Sequence, residues 1–150
     1  MLSLSDVLAA RDRVAETARH TPLEYSHTFS SMTGATVHLK LETFQRTGAF
    51  KIRGATNRIA TLSEAQKDAG VVTASAGNHA QGVALAATRM GVDAKIVMPE
   101  HAPVSKIEAT ESYGGEVVLY GADYDAAAER AHEIEREEGR TYVHAFDDEM

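Results

Sequence analysis

The chain has 150 residues, 43% of them hydrophobic and 25% charged, with no cysteine and no long apolar run; this profile excludes collagen-like, low-complexity, disulfide-scaffold and membrane-spanning classes and fits a soluble globular protein. Its 22 acids against 15 bases give a net charge of −7, and residues 123–150, with ten acids and three bases, hold the whole excess. Such a chain lacks the basic stripe that supplies most nucleic-acid affinity, so neither nucleic acid nor membrane is expected as a partner, and without a thiol the chemistry must come from other groups.

Residues 5–18 carry Val7, Ala10 and Val14 at helical spacing, with Ser5 placed to cap and Asp6 in the first turn, which predicts a helix. Its charges recur too often for a signal peptide, so a cytoplasmic location is expected. Pro22 disfavours helical dihedrals at Thr21, and the chain should leave the helix extended. In residues 36–41 the apolar side chains alternate, the pattern of a half-buried strand.

From residue 70 the pattern becomes regular. Residues 71–74 read as a strand, and Ser75-Ala76-Gly77-Asn78-His79 leads into a helix with Ala80, Val83, Ala84 and Ala87 on one face and Gly91 just past its end. Residues 94–98 form the next strand, stopped by Pro99. A helix over 103–110 follows, with Pro103 in its first turn and Gly114-Gly115 ending it. Residues 117–119 are a third strand. Tyr124, Ala127, Ala131 and Ile134 then make the apolar stripe of a helix whose other face carries most of the excess acid, and Gly139 ends it before a strand at 141–143. Strands joined by helices run parallel, so the prediction is an α/β fold: an open parallel sheet with flanking helices. Residues 1–62 do not share the alternation and read as a separate unit.

Two stretches carry residues suited to chemistry. In Thr47-Gly48-Ala49-Phe50-Lys51-Ile52-Arg53-Gly54-Ala55 a lysine flanked by apolar residues enters a helix pattern. Desolvation would disfavour its charge and free the amine as nucleophile or base; an exposed lysine at a helix start is the plain alternative. The turn Ser75-Ala76-Gly77-Asn78-His79 lets backbone N–H groups converge at a helix N-terminus, where a carboxylate or phosphate fits. An ordinary turn with Ser or Asn capping the helix competes with that. None of the seven histidines has metal-ligand spacing, and a packing role is expected for His79. Glu42, Asp147 and Asp148 lack a partner for acid–base work and are expected to be solvated or salt-bridged.

Residues 40–55 and 75–82, in that order, together make the chain resemble the threonine dehydratase and serine racemase group of fold-type II pyridoxal-phosphate enzymes. Supporting matches run through Thr21-Pro22-Leu23, Val97-Met98-Pro99, Lys106-Ile107-Glu108-Ala109-Thr110 and Phe146-Asp147-Asp148. The resemblance implies that Lys51 forms a Schiff base with pyridoxal 5'-phosphate, that Phe50 packs near the cofactor ring and that Asn78 bonds its 3′ hydroxyl. It further implies that Ser75, Ala76, Gly77, Asn78 and His79 hold the substrate carboxylate. The implied reaction removes the Cα proton of threonine or serine through the Lys51 amine, expels the β-hydroxyl and ends in a 2-keto acid and ammonia. Similar racemases place a serine at the position of Ala76 as second base; an alanine there favours dehydration.

The resemblance also implies a glycine-rich phosphate loop and a partner for the pyridine nitrogen farther along the family's chain, and neither is among these residues. The expected division is therefore 1–62 as the opening of a large domain, 63–145 as a small α/β domain and 146–150 as the return toward the large one. These residues alone are expected to be inactive, and the complete enzyme a homo-oligomer acting on a small amino acid. A non-catalytic α/β module binding an anion or a partner chain, and a serine or aspartate racemase of the same family, are the competing functions.

Overall fold

The computed structural model describes residues 3–146 and 148. Helix α1 (Leu4–Ala15) is capped by Ser3 and not by Ser5. The Ser3 hydroxyl accepts from the Asp6 N–H, and the Asp6 carboxylate accepts from the Ser3 N–H at 2.7 Å, a reciprocal box that an acid three residues on makes possible. The helix also stops short of residue 18; Thr17 and Ala18 turn inward as loop residues.

Strand β1 (Leu23–Tyr25) pairs antiparallel with β2 (His38–Lys40), and α2 (His27–Thr33) connects them. The half-burial expected over residues 36–41 holds at Val37 and Leu41 but not at Leu39 between them, and every residue of β1 and β2 is exposed. A 3₁₀ turn at Glu42–Phe44 leads to α3 (Lys51–Ala60) and α4 (Glu64–Ala69).

The alternating part is built as expected: β3 (Val71–Ala74), α5 (Asn78–Arg89), β4 (Ala94–Met98), α6 (Val104–Ser112), β5 (Glu116–Leu119), α7 (Tyr124–Glu138) and β6 (Thr141–Tyr142). Pro103 sits at the N-cap of α6, one step before its first turn. The four strands run parallel in the order β5-β4-β3-β6. Strand alternation sorts the core into two layers. Val71, Ala94, Ile96 and Met98 face Val83, Ala87 and the α3 residues Ala55 and Ile59, whereas Val72, Ala74 and Val97 face Ala127, Ala131 and Ile134 of α7. A smaller cluster of Val14, Ala18 and Ile52 ties α1 to α3.

The strand order sets the location of a crevice. From β3 the chain steps through β4 to β5 on one side and returns by α7 to β6 on the other. Right-handed crossovers in opposite directions put their helices on opposite faces, leaving an opening beyond the carboxyl ends of β3 and β6. Several acids of α7 pair with neighbours: Arg130 with Glu133 at 2.8 Å and Glu137 at 3.3 Å, and Glu138 with Lys95 at 2.6 Å and Arg140 at 2.7 Å. No helix among the described residues is long and apolar enough to cross a membrane.

Candidate active site

A cavity of about 480 Å³ lies in that opening, lined by Phe50, Lys51, residues 74–79, Tyr124, Ala145 and Phe146. Lys51, from the first turn of α3, and the start of α5 therefore meet although they are far apart in sequence. A smaller hollow of about 240 Å³ adjoins it behind Lys51, against Arg53, His79 and His144.

The loop between β3 and α5 is shaped by its own small residues. The Ser75 hydroxyl accepts the Gly77 N–H at 3.2 Å, folding the turn back on itself. Gly77 is the N-cap of α5, and no side chain caps the helix there. The expectation that Ser or Asn would do so as an ordinary turn is not met, so first-turn amides without an intrahelical acceptor are left at the cavity wall with the positive end of the helix dipole. The exposed Asn78 opens this turn, while Ala76 packs partly into the core.

Lys51 is half-buried, and its amine donates to the Ala145 carbonyl. It lies 4.4 Å from the ring centroid of Phe146 and 5.6 Å from that of Phe50. Ala49 and Ile52, its neighbours in sequence, are buried, whereas Phe50 and Phe146 stay largely in solvent, at 59% and 88% exposure.

His79 is buried in the packing role expected of it. Desolvation pushes its ring below the ordinary histidine value, outweighing the Val143 hydrogen bond, and the nearby Lys51 charge acts in the same direction. Its Nε2 faces the Val143 carbonyl at 3.1 Å; since a carbonyl only accepts, Nε2 is the donor there. The Thr73 hydroxyl donates to the same carbonyl at 2.8 Å, fixing the end of β6 against the α5 start.

Glu42 lies outside the cavity in an ion pair with Arg53, 2.8 Å, and Asp148 pairs with Arg58 at 3.1 Å, as salt-bridged roles for them required. Asp147 lies outside the described residues. No group of histidines and carboxylates able to hold a metal occurs among the described residues. Sequence reasoning missed Tyr124, assigned to the buried stripe of α7 but 47% exposed and facing the cavity, as well as the lining by Ala145. The signal for Tyr124 was present: Asp123 caps α7, and the first residue of a crossover helix sits at the carboxyl end of the sheet.

The family model for pyridoxal-phosphate dependent enzymes matches residues 14–150. An L-threonine ammonia-lyase of Thermotoga maritima is 49% identical over 148 residues, 99% of this chain and 37% of that protein. Among solved structures, maize serine racemase superposes with a TM-score of 0.90 at 38% identity, over 97% of this chain and 44% of that one. A threonine deaminase of Solanum lycopersicum superposes with a TM-score of 0.86 at 41% identity, over 98% and 44%. The chain spans less than half the length of the curated relatives it matches.

Proposed function

The chain belongs to the family of pyridoxal-phosphate dependent enzymes, and we propose that it carries the catalytic lysine of a threonine ammonia-lyase, which converts threonine, and serine, to a 2-keto acid and ammonia. The observation that carries this is the meeting of Lys51 and the uncapped α5 start in one cavity at the carboxyl end of β3.

The donor set suits the cofactor: an amine for its aldehyde, an aromatic side chain for its ring, a carboxamide for its hydroxyl, in a cavity of the size usual for such ligands. When bound, pyridoxal phosphate supplies an electron sink for the pair left at the substrate Cα. Lys51 Nζ holds the cofactor and then carries the Cα proton. Phe50 packs against the ring, and Asn78 bonds the ring hydroxyl. The loop of residues 75–79, whose Ser75 and Gly77 amides already donate to the Val97 carbonyl and the Ser75 hydroxyl, receives the substrate carboxylate at its other amides, helped by the α5 dipole. His79, its Nε2–H spent on the Val143 carbonyl, is committed to packing and not to that anion. Ala76 offers no exchangeable proton as a second base, which favours elimination over racemisation.

The similarity to serine racemase supports one other reading, in which the same site inverts serine; chiral analysis for D-serine separates the two. Cytoplasmic location, a homo-oligomeric complete enzyme and the division at residues 62 and 63 belong to the same proposal. The test is to incubate the chain with pyridoxal phosphate, fix adducts with borohydride and map them, and to assay 2-ketobutyrate from threonine when the downstream part of the enzyme is supplied. Adduct and product that both vanish in Lys51→Ala are expected. An adduct that ignores this substitution overturns the assignment.

A further inference from the structure

Three motif residues never reach the cavity, yet all three bear on Lys51. Where α5 crosses α3, Gly82 lies against the backbone of the lysine: a Cβ there would sit 3.0 Å from the Ile52 nitrogen, 3.1 Å from the Lys51 carbonyl carbon and 3.3 Å from the Ile52 Cα. These are backbone atoms of a turn whose Ile52 side chain is fully buried, so they have little room to yield. From another side, Arg53 grips Glu42 with two parallel bonds, Nε to Oε2 at 3.0 Å and Nη2 to Oε1 at 2.8 Å. Arg53 also donates to the Arg19 carbonyl at 3.0 Å, and the Thr21 hydroxyl donates to Glu42. Lys40 Nζ closes the network on the Thr21 carbonyl at 2.6 Å.

We infer that Gly82 and the Glu42–Arg53 pair are positioning residues that clamp the first turn of α3 and so aim the Lys51 amine into the cavity; this rests on the role proposed for Lys51. A lysine has four rotatable bonds, and only its root can be fixed by the fold. A fork of two charge-assisted bonds resists rotation of that turn, and the glycine lets α5 close on it without a side chain between. A misplacement of about 1 Å at a reacting group is worth roughly a hundredfold in rate, so a smaller displacement at the root is readable.

The test uses the full chain with pyridoxal phosphate, borohydride fixation and peptide mass spectrometry, comparing labelling of Lys51 with that of Lys106, which lies on α6 and outside the clamp, and recording circular dichroism in the cofactor's visible band. Gly82→Ala and Glu42→Gln are each expected to lower the Lys51-to-Lys106 ratio about tenfold and to weaken the visible band, with the far-ultraviolet spectrum retained. A loss of stability alone would move neither readout in the folded protein. If Gly82→Ala loses its fold, Glu42→Gln decides by the same ratio. Wild-type preference for Lys51 that persists in the folded variants overturns the clamp and leaves the role of Lys51 standing. Absence of that preference in the wild-type chain overturns both, since nothing is then aimed.

Discussion

Replacing Glu42 by Gln removes one charge from a pair that ties α3 to the 3₁₀ turn at Glu42–Phe44, and its consequence for stability follows from acid–base linkage. The Arg53 guanidinium, bonded to both carboxylate oxygens, and the Thr21 hydroxyl hold the Glu42 carboxyl at about 2, against an ordinary 4.5. At about 1.4 kcal/mol per pH unit, that difference corresponds to about 3 kcal/mol. Arg53 is 35% exposed, so solvent screening reduces the expected loss in Glu42→Gln to about 1–2 kcal/mol. For a chain of this length that is a fall of about 5 °C in Tm. Because the carboxyl is more acidic in the folded chain than in the unfolded one, protonation favours unfolding. The wild-type advantage is therefore complete above about pH 4.5 and disappears as the pH falls through about 2, with more than half gone at about pH 3. Urea unfolding of both proteins at pH 7 and pH 3 measures it. An equal gap at the two pH values, or none at pH 7, refutes the electrostatic origin of the clamp's strength.

Four further outcomes follow from the packing. Ile59 is fully buried between α3 and the sheet, so Ile59→Ala should lower stability by about 2–5 kcal/mol, read as a shift in urea midpoint; a loss under about 1 kcal/mol would mean the α3 layer is loosely packed. Gly70 has φ +84°, and a Cβ there would lie 2.8 Å from the Asp93 carbonyl oxygen, whereas Gly91, φ +68°, faces open space. Gly70→Ala should therefore be clearly more destabilising than Gly91→Ala, which costs about 1–2 kcal/mol, and equal thermal shifts would contradict the steric argument. Asp123→Ala removes the cap that accepts the Ala126 N–H at 2.9 Å, for a loss of about 0.5–2 kcal/mol in thermal unfolding. Finally, the His79 ring should protonate below the ordinary histidine value in NMR titration. Its folded value lies below its unfolded one, so the associated stability is full above about 6.5 and falls as the pH drops through the folded value; protonation at or above the ordinary value would show that the ring is not desolvated.

The alternating half of the chain was legible because its signals are local and agree with one another. Hydrophobic runs over 71–74 and 94–98, helical spacing through Ala80 to Ala87 and glycines at 91 and 139 each specify an element without reference to the rest. The opening segment was less legible. Alternation at Val37, Leu39 and Leu41 reports that one strand face is apolar, but not how far each residue is covered: Val37 and Leu41 are half-buried and Leu39 is exposed. Ser3 and Ser5 compete as caps of α1, and the choice turned on Asp6 standing three residues after the first and one after the second. The two motifs marked Lys51 and residues 75–79, but not Tyr124 or Ala145, which enter the cavity only because α7 begins and β6 ends there.

By itself the sequence determined the element types from residue 71 on, their parallel connection and the residues suited to nucleophilic and anion-holding chemistry, since these depend on side-chain identity and on spacing within a few residues. Only the tertiary structure decided that the two motifs share one cavity, that the Lys51 amine is held by the Ala145 carbonyl, and that Gly82 and Glu42 bear on its root. Those are contacts between segments far apart in the chain, set by the strand order β5-β4-β3-β6 and by how closely α5 approaches α3. No local pattern encodes a distance across a fold; packing does, because each backbone crossing is fixed by the volumes that meet there.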